Sequence, residues 1–346
     1  NAETTNVTRW KDASKTNYKL VDQTVTTTLT FDALGRALTQ KQEISVWDGA
    51  ALVKVQRNEI EFSDYNNRND AGTQKIKSIR LDGAVQTVID YKVFTNRNFD
   101  SSHNISNQMV LTYSNETSTT PLDVQEIRSY GYNAQGVALK QQIITYSDTA
   151  KTKMVSSQEI VNSNIDPSGN VHTRTITDYA SVTFESNDST KDITSMNGQS
   201  SKQTINTDVF DNRGNAIHQT VLSEGWDSKT NAFIFSSFQD ISNDQIDIHD
   251  QVKHSIVKNY NAAVGGAFMG LDDITYVSRD KFGNALQQNV TSYNDEAKTS
   301  VREYREVSNT YKDDVSAKLG NAETTTVTRW KDASKADSKL VDKTTT

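Results

Sequence analysis

Residues 321–346 of this 346-residue chain repeat residues 1–26 with 20 identities, so that NAETTNVTRWKDASK at the start returns as NAETTTVTRWKDASK. The six differences are Asn6/Thr326, Thr16/Ala336, Asn17/Asp337, Tyr18/Ser338, Gln23/Lys343 and Val25/Thr345, a pattern of divergence after duplication. A chain built this way is expected to be a tandem array, with residues 1–320 as one block and 321–346 as the start of the next.

A shorter period runs inside the block. FDALGRA (31–37), FDSSHNI (99–105), YNAQGVA (132–138), IDPSGNV (165–171), FDNRGNA (210–216), IDIHDQV (246–252) and RDKFGNA (279–285) are versions of one motif. With RNDAGTQ (68–74) and AKLGNA (317–322) added, the anchor residues are Gly35, Gly72, His103, Gly136, Gly169, Gly214, Asp250, Gly283 and Gly320. They are 31 to 45 residues apart and divide the block into nine units.

The anchors read as turn residues with positive φ, which glycine adopts most easily and which His and Asp, the two exceptions, tolerate better than most. Three residues earlier stand Asp32, Asn69, Asp100, Asn133, Asp166, Asp211, Asp247 and Asp280. A short carboxylate or amide there is expected to accept the backbone N–H groups of its own turn. Spaced acidic loops also suit a hard cation such as calcium, the one cofactor these turns leave open.

Counting seven residues on from each anchor gives Val7, Ile79, Val110, Ile143, Ile176, Val221, Val257, Val290 and Val327, with Gln42 the one exception. A β-branched column suits a half-buried pleated surface and identifies the strand core. The second position holds Ala2, Ala37, Ile105, Ala138, Val171, Ala216, Val252, Ala285 and Ala322, and the tenth holds Trp10, Tyr113, Tyr146, Tyr179, Tyr260, Tyr293 and Trp330. Positions two and ten share one strand face and seven lies on the other. Gln and Thr at position five, such as Gln40, Gln108, Gln141, Gln219 and Gln288, offer side-chain hydrogen bonds between neighbours.

After the aromatic comes a second short polar loop, as in YSDTAKT (146–152) or YNDEAKT (293–299), and then a return strand. Connections this short make the two strands antiparallel neighbours. A lone hairpin is marginal in water, so each unit depends on the next. The expected fold is therefore all-β: tandem antiparallel hairpins of about 35 residues forming an elongated β-sheet fibre, spiral or tube. Length variation, including SNDSTKDITSMNGQSSK (186–202) in the longest unit, is expected in loops.

Composition narrows the function. Hydrophobic residues make up 34% and the net charge is -7, so there is no basic field to attract nucleic acid. Cysteine is absent, which removes disulfides and thiolate ligands, and no apolar run of about 18 residues could span a membrane as a helix. The nearest approach to a metal cluster is DIHDQVKH (247–254), with Asp247, His249, Asp250 and His254, but it occupies an ordinary repeat turn. No nucleophile elbow, phosphate loop or dinucleotide fingerprint occurs, so neither a catalytic residue nor a metal ligand is assigned.

The signature seen in FDALGR and FDNRGN resembles that of the YD-repeat, or rearrangement-hotspot, family of extracellular proteins. The resemblance implies strand–turn–strand repeats coiling into long spiralling sheets, in some members a shell around a toxin, and a surface or secreted setting. The expected function is a structural segment of a long surface or extracellular filament whose partners are other copies or adjacent blocks. A repetitive adhesin is the alternative, with YNAAVGGAFMGLDD (260–273) and its Phe268 and Met269 as the candidate ligand loop. A toxin-enclosing shell is the third reading.

Overall fold

The computed structural model describes residues 3–16, 20–263 and 265–346. Ala2, placed above in the position-two column, lies outside them, as does Val264 of the candidate ligand loop. The chain is nearly all antiparallel β, built as consecutive hairpins, and divides into two compact units. One comprises Asn1–Gln158 with Ser181–Met196, the other Glu159–Ala180 with Asn197–Thr346.

The first unit holds β1 (Thr4–Trp10), β2 (Leu20–Phe31), β3 (Ala37–Trp47), β4 (Leu52–Tyr65), β5 (Ala71–Asp82), β6 (Val85–Phe99), β7 (Ile105–Tyr113), β8 (Asp123–Tyr132) and β9 (Ala138–Tyr146). Each pairs antiparallel with the next. Strands β10 (Met154–Ile165), β11 (Val171–Phe184) and β12 (Ile193–Phe210) contribute residues to both units. The second unit continues with β13 (Ala216–Asp227), β14 (Ala232–Ile246), β15 (Val252–Tyr260), β16 (Phe268–Arg279), β17 (Ala285–Tyr293), β18 (Val301–Thr310), β19 (Thr324–Trp330) and β20 (Leu340–Thr345). From β12 onward these too pair in sequence. Among the described residues no pairing joins β1 to β9 or β12 to β20, so neither run closes into a barrel.

The turns share one hydrogen-bond scheme. At Asp32 the backbone N–H donates to Arg36 O (2.9 Å), Gly35 N–H returns to Asp32 O (3.0 Å), and the Asp32 carboxylate accepts the N–H groups of Leu34 and Arg36. The same side-chain acceptance recurs at Asp100, Asn133, Asp166, Asp211, Asp247 and Asp280. The anchors close these turns with φ of 77° at Gly35, 67° at His103, 75° at Gly136, 89° at Gly169, 91° at Gly214, 60° at Asp250 and 92° at Gly283.

One turn departs from the expected alignment. Gly72 lies inside β5 and lacks positive φ; the turn residue is Asn69, with φ 65°, and the acceptor is Asn66, whose side chain takes the N–H groups of Arg68 and Asp70. Asn69 therefore anchors its turn rather than capping it. An asparagine fills the left-handed position here, and the glycine three residues on drew the alignment off by that amount. The shift moves Ile79 from position seven to position ten and puts Ile76 at seven. Gly320 also differs: with φ 72° it follows a one-turn helix, α1 (Asp314–Lys318), capped by Asp313, so it terminates a helix instead of closing a hairpin.

Pairing explains why the columns exist. The position-seven residue sits opposite an apolar residue of the preceding strand in the pairs Ile60/Ile76, Phe94/Val110, Ile127/Ile143, Ile205/Val221, Ile241/Val257, Ile274/Val290 and Val307/Val327. Their burial is uneven. Val110 and Val290 are buried, as is Ile79; Ile143, Ile176, Val221, Val257 and Val327 are half-buried; and Val7, in a strand paired only with β2 among the described residues, is 55% exposed. The column that the sequence marks as strand core is therefore a core unevenly and not at Val7, because a residue in an unclosed ladder is covered only by the strands on either side of it.

Aromatics at position ten pair likewise, as in Tyr91/Tyr113, Phe238/Tyr260 and Tyr304/Trp330, with ring centroids 6.0–6.3 Å apart. At position five, Gln40 donates to Thr28 and Gln141 to Ser129, each at 3.1 Å. Successive repeats carry a further stitch: the position-two carbonyls of Ala37, Ala71, Ile105, Ala216, Val252 and Ala285 accept side-chain bonds from Tyr65, Asn96, Tyr132, Asn243, Arg279 and Asn309.

Candidate functional site

The most deeply buried charged residues among those described lie in the first unit. Glu126 and Arg128 are two residues apart on β8, so both project from one face, and both are fully buried. Glu126 receives Arg97 at 2.7 and 2.9 Å, Arg128 at 3.1 Å, and the ammonium of Lys151. Burial pushes the Glu126 carboxyl up, but Arg97 and Lys151 outweigh it and hold it below the ordinary carboxylate range.

Arg128 spends its remaining donors on backbone. It reaches Ile127 O (3.0 Å), Ser189 O (2.7 Å) and Lys191 O (2.7 and 3.0 Å), while Asn107 donates to Thr190 O at 3.0 Å. The Ser189, Thr190 and Lys191 carbonyls belong to the tip of the β11–β12 hairpin. The same tip lays Val182, Phe184 and Ile193 on Val124, Ile144 and Tyr146, with Met109 and Leu111 beside them. The extra length of the longest unit is therefore a hairpin whose tip packs on strands β7–β9, in place of the loop expected from its Ser- and Asn-rich sequence. Period counting could not find this, because it registers insertions and says nothing of what they touch; the available signal was the apolar set Val182, Phe184 and Ile193 flanking a polar tip.

Lys151 stands at a second recurring turn, where it has φ 57°, as Lys298 and Lys335 do at 60° and 54°. From this left-handed position each lysine reaches past the strand that leads into its turn to a carboxylate on the strand preceding that one: Lys151 to Glu126 on β8, Lys298 to Asp273 on β16 at 2.6 Å, and Lys335 to Glu306 on β18.

The second unit carries a paired feature. His218 lies between Asp208 (Nδ1, 2.6 Å) and Asp240 (Nε2, 3.0 Å); His254, at the same place in the next repeat, lies between Asp244 (Nδ1, 2.6 Å) and Asp273 (Nε2, 2.7 Å). Both ring nitrogens must donate for two carboxylates to be satisfied, so the geometry selects imidazolium. Asp208, and after it Asp240, raise the His218 value; at His254 burial pushes down, and Asp273 and Asp244 outweigh it.

These contacts disperse the DIHDQVKH set. Asp247 caps its turn, accepting His249 and Gln251 N–H, Asp250 accepts from Asn215 at 2.8 Å, and His254 is held by Asp244 and Asp273. Among the described residues no group of three or more His, Asp or Glu side chains is arranged to hold a metal ion. In the candidate ligand loop Phe268 packs edge-on against Tyr260 at 6.0 Å and Met269 is 59% exposed. Among the described residues no helix is long and apolar enough to cross a membrane. No family model and no curated protein matches the chain.

Proposed function

We propose that this chain is a structural segment of a tandem-block β-protein, in which each 320-residue block continues the hydrogen-bonded ladder of the block before it. The observation that carries this reading is a repeated register. In β1–β2, Arg9 faces Asp22 and Trp10 faces Leu20 across a bulge; in β19–β20, Arg329 faces Asp342 and Trp330 faces Leu340 across the same bulge. The second copy is also paired to what precedes it, since β19 lies against β18 along Tyr304–Thr310. A block boundary then needs no linker, and tension along the stack is carried by backbone ladders, aromatic pairs and side-chain stitches acting together.

A surface or extracellular setting and a filament as the product are part of the same proposal, supported by the YD-like turn signature. The test is electron microscopy of chains containing two, four and eight blocks in series. The expected result is a continuous fibre lengthening by a fixed increment per block, at most about 86 Å for eighteen strands at 4.8 Å spacing. Separate beads on flexible joints would overturn the filament reading and favour an adhesin.

A further inference from the structure

We infer that the outer edge of β1, Thr4–Trp10, is a docking edge for a second copy of the block, which seats its β18 segment Tyr304–Thr310 there in the register β18 already makes with β19. This rests on the structural reading above and adds the surface, the partner and the alignment. Among the described residues β1 pairs with β2 alone, whereas β19, its near-copy, is held on both sides by β18 and β20. β18 within this chain is likewise flanked on both sides, by β17 and β19, so the occupant is the β18 of another copy.

Each contact of the β18–β19 seam has its residues waiting at β1. Tyr304 meets Trp330 with ring centroids 6.0 Å apart, Val307 lies opposite Val327, Asn309 accepts from the Thr325 hydroxyl at 2.9 Å, and Glu306 pairs with Lys335. The corresponding residues are Trp10, Val7, Thr5 and Lys15. Within the strand the only change is Asn6 for Thr326, a polar residue opposite Ser308. The exposure of Val7 follows: its counterpart Val327 is half-buried against Val307, and Val7 has no described strand on that side. Lys15 repeats the left-handed turn of Lys335, φ 51° against 54°, so its ammonium is set to reach an incoming Glu306. An open strand edge of this kind recruits whatever strand matches it, and here the match is written in the duplicated sequence.

The chain has no cysteine, so engineered thiols read the register directly. The full chain carrying Val7→Cys is equilibrated in a glutathione buffer with a peptide of residues 299–312 carrying Val307→Cys. Because side chains alternate faces, the same peptide with Glu306→Cys in place of Val307→Cys turns its thiol away, and the in-register mixed disulfide is expected to exceed it at least about tenfold. Equal yields from the two peptides, or preferential capture by a Val327→Cys chain, would overturn the assignment. As a readout free of substitutions, unmodified peptide is expected to slow hydrogen exchange at residues 4–10 of the unmodified chain, and unchanged exchange overturns it too. A failed peptide with intact multi-block fibres would show that blocks join by another surface. Failed fibres with a docking peptide would remove the filament and keep the edge.

Discussion

Arg128 donates from both Nε and Nη2 to the carbonyl of Lys191, 63 residues further along the chain, at 3.0 and 2.7 Å. A fully buried guanidinium thus holds a hairpin tip by its backbone, and beside it Lys151 Nζ donates to the Ser189 hydroxyl at 3.0 Å.

Arg128→Met should remove the guanidinium donors from the Ser189 and Lys191 carbonyls and take one of three cations from the buried Glu126. A loss of roughly 3–5 kcal/mol in the first unit is expected, the range for breaking one partner of a buried charged network. Hydrogen exchange should accelerate at residues 185–193, while amides of β13–β18 keep their protection. Unaltered unfolding would show that the apolar residues of the tip suffice.

The histidine bridges predict a pH dependence in the second unit. His218 and His254 have values raised above 6.5 in the folded chain, so their contribution is fully present below 6.5 and is lost as pH rises through the folded values. At the acid end Asp208 and Asp273, both lowered, lose theirs as pH falls below 3.8. Denaturation of the second unit followed from pH 5.5 to 8.5 should show stability declining with pH, and the double variant His218→Gln/His254→Gln should flatten that slope. The same slope in wild type and variant would exclude the bridges as its source.

Turn positions separate glycines by geometry. Gly214→Ala places a side chain at φ 91° with its Cβ 3.0 Å from Asn170 Oδ1, and a cost of roughly 1–3 kcal/mol is expected. Asn69→Gly relieves a left-handed asparagine at φ 65° and should be neutral or stabilising by up to about 1 kcal/mol. Gly72→Ala should still destabilise, although its φ is ordinary, because the new Cβ would stand 2.7 Å from Asp64 O. Thermal melts of the three variants distinguish these outcomes.

Equivalent columns should not be energetically equivalent. Val110, 4% exposed, should cost about 2 kcal/mol when changed to Ala. Val7, 55% exposed, should cost less than about 0.5 kcal/mol. Comparable losses at both sites, measured by chemical denaturation, would mean that β1 is covered in solution.

Much of this protein was legible because its physics is local. The left-handed anchors, the Asp and Asn acceptors three residues before them, and the alternating apolar columns depend on a few neighbouring residues and a period of two along the strand. Where a local rule had two solutions, sequence chose wrongly: Asn69 and Gly72 both suit a sharp turn, and only the backbone shows which one closes it. Burial was not legible. Val7 and Val110 hold the same place in the repeat, and their exposures of 55% and 4% follow from which strands flank them. The buried pairing of Glu126 with Arg97, Arg128 and Lys151 was equally hidden, since charged residues are scattered through the chain and nothing local separates these from the rest. The sequence by itself determined the repeat, the turn and the strand. Tertiary structure decided which charges are buried and what the long hairpin covers, because desolvation and long-range contacts are set by neighbours distant in sequence, which no periodic pattern encodes.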